Sequence, residues 1–187
     1  MKKAFKHSAQ KQDPAVFDYA REVEQVWRDF PETKDKVYFL DLCTKDLVYP
    51  GEPKRRKEAW KKMVRDQIPE FLDFFAAEKR TSCLPKKSYS LVFLWTKEDT
   101  DSRCLEPIHE NIFGFDHELG HVIIPGGGGM DKSDLIANNR AECIADAYAV
   151  IRHLQRYGAD SQAIDILPGI APASLHAVQF PSGLSAV

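Results

Sequence analysis

The sequence predicts a single α+β domain in which a small, mostly antiparallel sheet packs against helices. The length of 187 residues suits one compact domain, taken here as residues 1–187. Residues 36–43 and 88–96 are rich in β-branched and aromatic side chains, which is typical of strands. Four other segments repeat apolar residues at helical spacing. We expect residues 1–12 to be flexible and residues 167–187 to be a docked tail, a substrate-like plug or the stump of a longer chain.

The first half of the chain predicts a helix, a strand and a second helix. Asp13 followed by proline has the pattern of a helix N-cap, and apolar residues then recur at helical spacing as far as Phe30. The strand at residues 36–43 comes next. A long helix begins near Pro53, and Pro69 should kink or restart it because proline removes a backbone donor and clashes with the preceding turn.

The second half of the chain predicts a strand and two helices. Residues 88–96 give the strongest strand signal in the sequence. A helix is expected over residues 113–124, and the glycine run at residues 126–129 should form a connector. The last helix starts at residue 133 or 134 and runs through Tyr157, where the following glycine ends it.

The balance of charges argues against nucleic acid as a partner. The chain carries 26 Lys and Arg against 28 Asp and Glu, a formal net charge of −2 at pH 7. The basic cluster within residues 54–65 is therefore interpreted as a solvated helix face. The longest uncharged stretch, residues 166–187, is interrupted by prolines and glycines, so no membrane span is predicted. The N-terminus lacks the apolar run of a signal peptide, and a cytoplasmic protein is expected.

The pentapeptide His117-Glu118-Leu119-Gly120-His121 carries the clearest chemistry in the chain. Residues four apart on a helix lie about 6 Å apart along its axis and on nearly the same side, so both imidazoles can bind one metal ion. Neutral imidazole suits zinc, and a nearby carboxylate can accept a proton from zinc-bound water. We therefore predict Zn²⁺ as the cofactor, with His117 and His121 as ligands and Glu118 as the general base.

A third ligand is expected on the last helix. The segment Glu142-Cys143-Ile144-Ala145-Asp146 places two carboxylates at i, i+4 spacing, 21 residues after His121. Two helices joined by a short connector pack antiparallel, which brings Glu142 opposite the two histidines. A set of two histidines and one glutamate leaves one zinc position open for water. Asp146 is predicted to accept the outer N–H of a ligand histidine, and the mid-helix Gly120 to permit close packing of another helix or of substrate.

These two motifs together resemble a known group of enzymes. HExxH followed about twenty residues later by ExxxD resembles the gluzincin zinc metallopeptidases. The alanine before Asp146 makes this segment most similar to the ExxAD helix of HtpX-like peptidases and their soluble minigluzincin relatives. The ImmA/IrrE type of soluble peptidase is a second resemblance, although asparagine is usual there at the position of Asp146. The resemblance covers roughly residues 113–154 and implies a zincin-like fold in which two helices carry the ligands. It implies the same roles for His117, His121, Glu142, Glu118 and Asp146.

The sequence therefore predicts a zinc-dependent peptidase that acts on a peptide or protein substrate. Two alternatives stay open: a zinc-binding module or non-peptidase zinc hydrolase with the same ligands, and a structural protein in which the motifs are coincidental. Residues 88–96 are either an edge strand that pairs with an extended substrate or an ordinary core strand. His109, Tyr157 and His176 are three open candidates for stabilising the oxyanion. The oligomeric state is not predicted.

Overall fold

The computed structural model describes residues 18–66, 68–95, 107–125 and 134–158. These residues form an α+β fold with five helices, one short 3₁₀ turn and four strands, which confirms the predicted class. The helices are α1 (Tyr19–Asp29), α2 (Pro53–Arg65), α3 (Ile68–Glu78), α4 (Pro107–Ile123) and α5 (Leu135–Tyr157). The strands are β1 (Val37–Asp41), β2 (Asp46–Leu47), β3 (Ser82–Pro85) and β4 (Ser90–Leu94).

Two helices begin at other residues than the sequence predicts. The N-cap of α1 is Asp18, whose side chain accepts hydrogen bonds from the next backbone N–H groups. The expected cap, Asp13, lies outside the described residues. Helix α4 begins at Pro107 instead of near residue 113. Its first turns contain polar residues such as Asn111, so the sequence shows no apolar helical pattern there, although Asn111 is buried. The predicted restart at Pro69 is confirmed, because α2 and α3 are separate helices.

The four strands form one mixed sheet in the order β2-β1-β4-β3. The two outer pairs are antiparallel, but the central pair of β1 and β4 is parallel. The prediction of a mostly antiparallel sheet is therefore corrected to a mixed one. A parallel pair needs a long crossover connection, and α2, α3 and β3 lie in the chain between the two strands.

The strand predicted from residues 88–96 is β4, and it lies inside the sheet. It pairs with β1 on one side and with β3 on the other, so its backbone groups are already used. Of the two interpretations left open for this segment, the core strand is confirmed and the edge strand for substrate is wrong. Among the described strands, β3 is the outer one on this side of the sheet.

Helices cover both faces of the sheet. Successive residues of β1 and β4 point to opposite faces, and nearly all of them are buried. Val37, Phe39, Val92 and Leu94 face a core that includes residues of α1 and α4. Tyr38, Leu40, Leu91 and Phe93 face a second core with residues of α2 and α3. Burial on both faces explains why these strands are uniformly apolar and do not alternate with polar residues.

Several predictions about the chain ends and connectors concern residues outside the described part. They are the predictions for residues 1–12, for the glycine run at 126–129 and for residues 167–187. Within the described ranges, none of the helices combines the length and the apolar character needed to cross a bilayer.

Candidate metal centre

The motif-bearing helices α4 and α5 pack against each other in antiparallel directions. A Cβ atom placed on Gly120 would lie only 2.9 Å from Ala145 Cα and 3.3 Å from the Ala145 carbonyl oxygen. Near the opposite end of the pair, His109 of α4 contacts Tyr157 of α5. The later residue on α4 thus contacts the earlier residue on α5, as expected for antiparallel helices. Glycine against alanine lets the backbones approach closely, which confirms the predicted role of Gly120.

Gly120→Ala is expected to lower the free energy of unfolding by about 1–3 kcal/mol, because the new methyl group overpacks a contact made by backbone atoms. Urea unfolding measures this change. Gly114→Ala on the same helix is the matched control, since its Cβ would meet only Thr81 Cβ at 3.9 Å. There the higher helix propensity of alanine should raise stability by up to about 1 kcal/mol. Effects of the same sign and size in both variants would contradict the close packing at Gly120.

The three predicted metal ligands converge between α4 and α5. His117 Nε2 lies 3.1 Å from His121 Nε2 and 3.3 Å from Glu142 Oε2. His121 Nε2 lies 3.6 Å from Glu142 Oε1. One ligand atom from each residue can be chosen so that all lie within 4.8 Å of one another. The structure thus brings His117, His121 and Glu142 together as a group that could hold a metal ion.

The spacing of these ligand atoms fits a tetrahedral zinc ion. Zn–N bonds of about 2.0–2.1 Å place neighbouring ligand atoms of a tetrahedron about 3.3 Å apart. The two imidazole nitrogens lie 3.1 Å apart, and His117 Nε2 lies 3.3 Å from Glu142 Oε2. His121 Nε2 lies 3.6 Å from the other carboxylate oxygen, Oε1. Two imidazoles with one carboxylate suit zinc and related first-row metals better than calcium or magnesium, which prefer oxygen ligands. The donor set therefore fits a metal of this class.

Asp146 orients the ring of His117. Asp146 Oδ1 lies 2.9 Å from His117 Nδ1, so Nδ1–H donates a hydrogen bond to the carboxylate. With Nδ1 held by Asp146, Nε2 faces His121 and Glu142, where its lone pair would bind a metal ion once its proton is displaced. Asp146 therefore contacts one of the two histidines that the sequence predicts as ligands.

Negative charge accumulates around the two histidines. Hydrogen bonds to His117 and then to His121 hold the pKa of Glu142 well below its usual range. Burial lowers the pKa of His117, but hydrogen bonds to Asp146 and Glu142 and the charge of Glu118 raise it overall to about 10. A cluster of carboxylates that holds a proton this firmly also favours a bound cation at the same place.

Glu118 lies beside the ligands without being part of the ligand group. Cys83 of β3 lies near this carboxylate, and the pKa of its thiol is raised by burial and then by the charge of Glu118. Burial raises the pKa of Glu118, and the neighbouring His117 and His121 partly oppose this rise. A carboxylate with a raised pKa is a better proton acceptor near neutral pH. Sequence reasoning missed Cys83 because β3 is too short to give a strand signal.

The described candidates for oxyanion stabilisation pack elsewhere. His109 and Tyr157 contact each other with ring centroids 4.8 Å apart, and both contact His153. His109 precedes His117 by eight residues, which is about 12 Å along the axis of α4. The third candidate, His176, lies outside the described residues. None of the predicted donors that the structure describes therefore belongs to the metal group.

A second charged cluster surrounds the residue that precedes His117. Asp116 is fully buried, and Arg156 Nη2 lies 3.2 Å from both of its carboxylate oxygens. Arg152 Nε lies 3.9 Å from the same carboxylate, and Arg156 also donates to Glu22 of α1. Burial raises the pKa of Asp116 to about 6, although the two arginines act in the opposite direction. The cluster ties α1 and α5 to the ligand-bearing part of α4.

Comparison of the chain with protein-family models, with curated proteins and with solved structures finds no significant match. The resemblance of the two motifs to gluzincin peptidases therefore stays a prediction. Any function assigned to this chain depends on the geometry of His117, His121 and Glu142.

Proposed function

We propose that this protein is a zinc-dependent peptidase with His117, His121 and Glu142 as its zinc ligands. The observation that carries the proposal is the convergence of these three side chains at spacings of 3.1 to 3.6 Å. Two contacts around the group also support it. Asp146 holds His117 through Nδ1, and Glu118 lies beside the group with a raised pKa.

The chemistry requires an activated water and a proton acceptor. Zinc in a set of two histidines and one carboxylate lowers the pKa of its bound water to about 7. Glu118 is positioned to accept that proton, because it follows His117 directly and lies outside the ligand group. Once protonated, Glu118 can return that proton to the leaving amine.

A peptide is the proposed substrate because β3 has no strand partner on its outer side among the described residues. β3 pairs with β4 and is the outer strand on this side of the described sheet. Cys83 in β3 shares a core with Phe115 and Leu119 of α4, so a peptide paired along β3 would run near the helix that carries Glu118. Pairing through main-chain groups binds an extended peptide without requiring one particular sequence.

The purified protein is expected to contain one zinc ion per chain, measured by elemental analysis. His117→Ala should abolish the bound zinc, because it removes a ligand and leaves Asp146 without its partner. Glu118→Gln is the matched control and should keep the zinc, since this side chain is not in the ligand group. A protein that stays free of metal after incubation with zinc would contradict the proposal.

A peptide-cleavage assay distinguishes the proposed peptidase from a zinc-binding module or a non-peptidase zinc hydrolase. A broad mixture of unstructured peptides should be cleaved by the zinc-loaded protein and left intact by Glu118→Gln. One bound zinc per chain without any cleavage would support a zinc-binding module or a hydrolase of another substrate.

A further inference from the structure

Helix α5 carries its large aliphatic side chains on the side that faces solvent. Successive residues turn by about 100° around a helix axis, so side chains three, four or seven positions apart share a side. We call the apolar set on this side the outer stripe of α5, which consists of Ile136, Cys143, Ile144, Ala147, Val150, Ile151 and Leu154. The exposed fraction is 83% for Ile136, 53% for Ile151 and 36% for Leu154.

The opposite side of α5 carries small residues. Ala141, Ala145 and Ala149 are buried there, and Ala145 contacts Gly120 of α4. An ordinary surface helix buries its large aliphatic side chains and exposes polar ones. In α5 this distribution is reversed, and Arg140 is the charged residue on the outer side. A continuous apolar stripe of this kind marks a surface that binds another apolar segment.

We propose that residues 166–187 of the same chain dock on the outer stripe of α5. These residues include no Asp, Glu, Lys or Arg. Their larger apolar side chains are Ile166, Leu167, Ile170, Leu175, Val178, Phe180 and Leu184. Residues 159–165, which carry two aspartates, connect them to α5. An uncharged apolar segment therefore follows directly on a helix whose outer side is apolar.

The segment is long enough to cover the stripe. From Ile136 to Leu154 the stripe extends about 27 Å along the helix axis. Residues 166–187 can span roughly 70 Å when extended, and residues 159–165 roughly 23 Å. Gly158 ends α5 with a φ of 78°, which glycine adopts readily, so the helix does not continue. Attachment to α5 also gives the segment a local concentration on the order of millimolar.

Other parts of the chain outside the described residues match the stripe less well. Residues 96–106 are mostly charged or polar, residues 126–129 are all glycine, and residues 1–17 carry several lysines. The outer stripe also faces away from α4, whereas the metal group lies between α4 and α5. A segment docked on the stripe therefore covers α5 without plugging the metal group.

Cys143 reports on the docking because it is exposed within the stripe. The probe is iodoacetamide, and mass spectrometry of the peptides gives the alkylation rate at each cysteine. Aspartates at four apolar positions should release the segment and raise the rate at Cys143 about tenfold, while the rate at the exposed Cys43 stays constant. These substitutions are Ile166→Asp, Ile170→Asp, Leu175→Asp and Phe180→Asp. The matched control adds the same charge at polar positions, with Ser174→Asp, Gln179→Asp, Ser182→Asp and Ser185→Asp, and should leave the rate at Cys143 unchanged.

A substitution on the helix tests the other side of the contact. Ile151→Glu should also raise the rate at Cys143 about tenfold, because it places a charge within the stripe. Gln155→Glu is the matched control at an exposed position beside the stripe and should leave the rate unchanged. Combining Ile151→Glu with the four apolar substitutions should give no further increase, since both changes disrupt one contact. Increases that multiply would overturn the proposal.

The remaining outcomes identify another occupant of the stripe. In the unchanged protein the rate at Cys143 should stay constant over an about hundredfold dilution, because docking within one chain does not depend on concentration. A rate that rises on dilution would show that a second copy of the chain covers the stripe, and would overturn the proposal. An unchanged rate in the variant with four apolar substitutions, or an equal increase in its matched control, would overturn it as well.

Discussion

Glu118→Gln is expected to lower kcat for peptide cleavage by about 10²–10⁴-fold, the usual contribution of a general base. Glutamine has nearly the same shape as glutamate, but its amide cannot take a proton at neutral pH. The ligands His117, His121 and Glu142 are untouched, so zinc content should stay at one ion per chain. Steady-state kinetics with a quenched peptide, together with elemental analysis, measures both quantities.

The matched control for this variant is Glu70→Gln, which makes the same chemical change at an exposed position on α3. It should leave kcat and zinc content unchanged. Full cleavage activity in zinc-loaded Glu118→Gln would remove Glu118 from the mechanism, even if zinc remained bound. Loss of zinc in the same variant would instead mean that Glu118 contributes to metal binding.

The metal group could be predicted from the sequence because its geometry is mostly local. The spacing of four between His117 and His121 fixes their common side of a helix, whatever the rest of the fold does. The one long-range feature that had to be inferred was the antiparallel packing of α4 and α5. Residues 124–134, which join these helices, favour that packing because the connection is short. The glycine at position 120 also predicted that another helix packs closely against α4, and its contact with Ala145 of α5 confirms this.

The sheet could not be predicted in the same way, because strand order depends on pairing between distant segments. β2 and β3 contain two and four residues, too few for a periodic pattern to be recognised. Without β2 and β3, the sequence left open whether β4 is an edge strand or a core strand, and the structure places it between β1 and β3.

Charge pairs between residues far apart in the sequence could not be predicted either. Asp116 and Arg156 are 40 residues apart in the sequence. Nothing in the spacing of α4 shows that Asp116 is fully buried or that it pairs with an arginine of α5.

Arg156→Met is expected to lower the free energy of unfolding by about 3–5 kcal/mol at pH 8, because it leaves a buried carboxylate without its closest cation. Methionine keeps most of the apolar stem of arginine, so little of the loss comes from packing. Asp116 is fully buried and retains only Arg152, at 3.9 Å. Urea unfolding measures the loss, with Arg28→Met at an exposed position of α1 as the matched control, for which little change is expected.

The loss of stability in Arg156→Met should shrink as the pH falls. Burial already raises the folded-state pKa of Asp116 from 3.8 to about 6, so in the unchanged protein its contribution is complete below pH 3.8 and is lost as pH rises through 6. Removing Arg156 takes away a cation that lowers this pKa, and the folded variant therefore keeps its proton to a higher pH. Protonated Asp116 carries no charge and needs no nearby cation. The free energies of unfolding of the two proteins should therefore differ less at pH 5 than at pH 8. Asp116→Asn in the Arg156→Met background should recover part of the lost free energy of unfolding at pH 8. If the difference in free energy of unfolding between the two proteins did not vary with pH, Arg156 would stabilise the fold through packing and Glu22 alone.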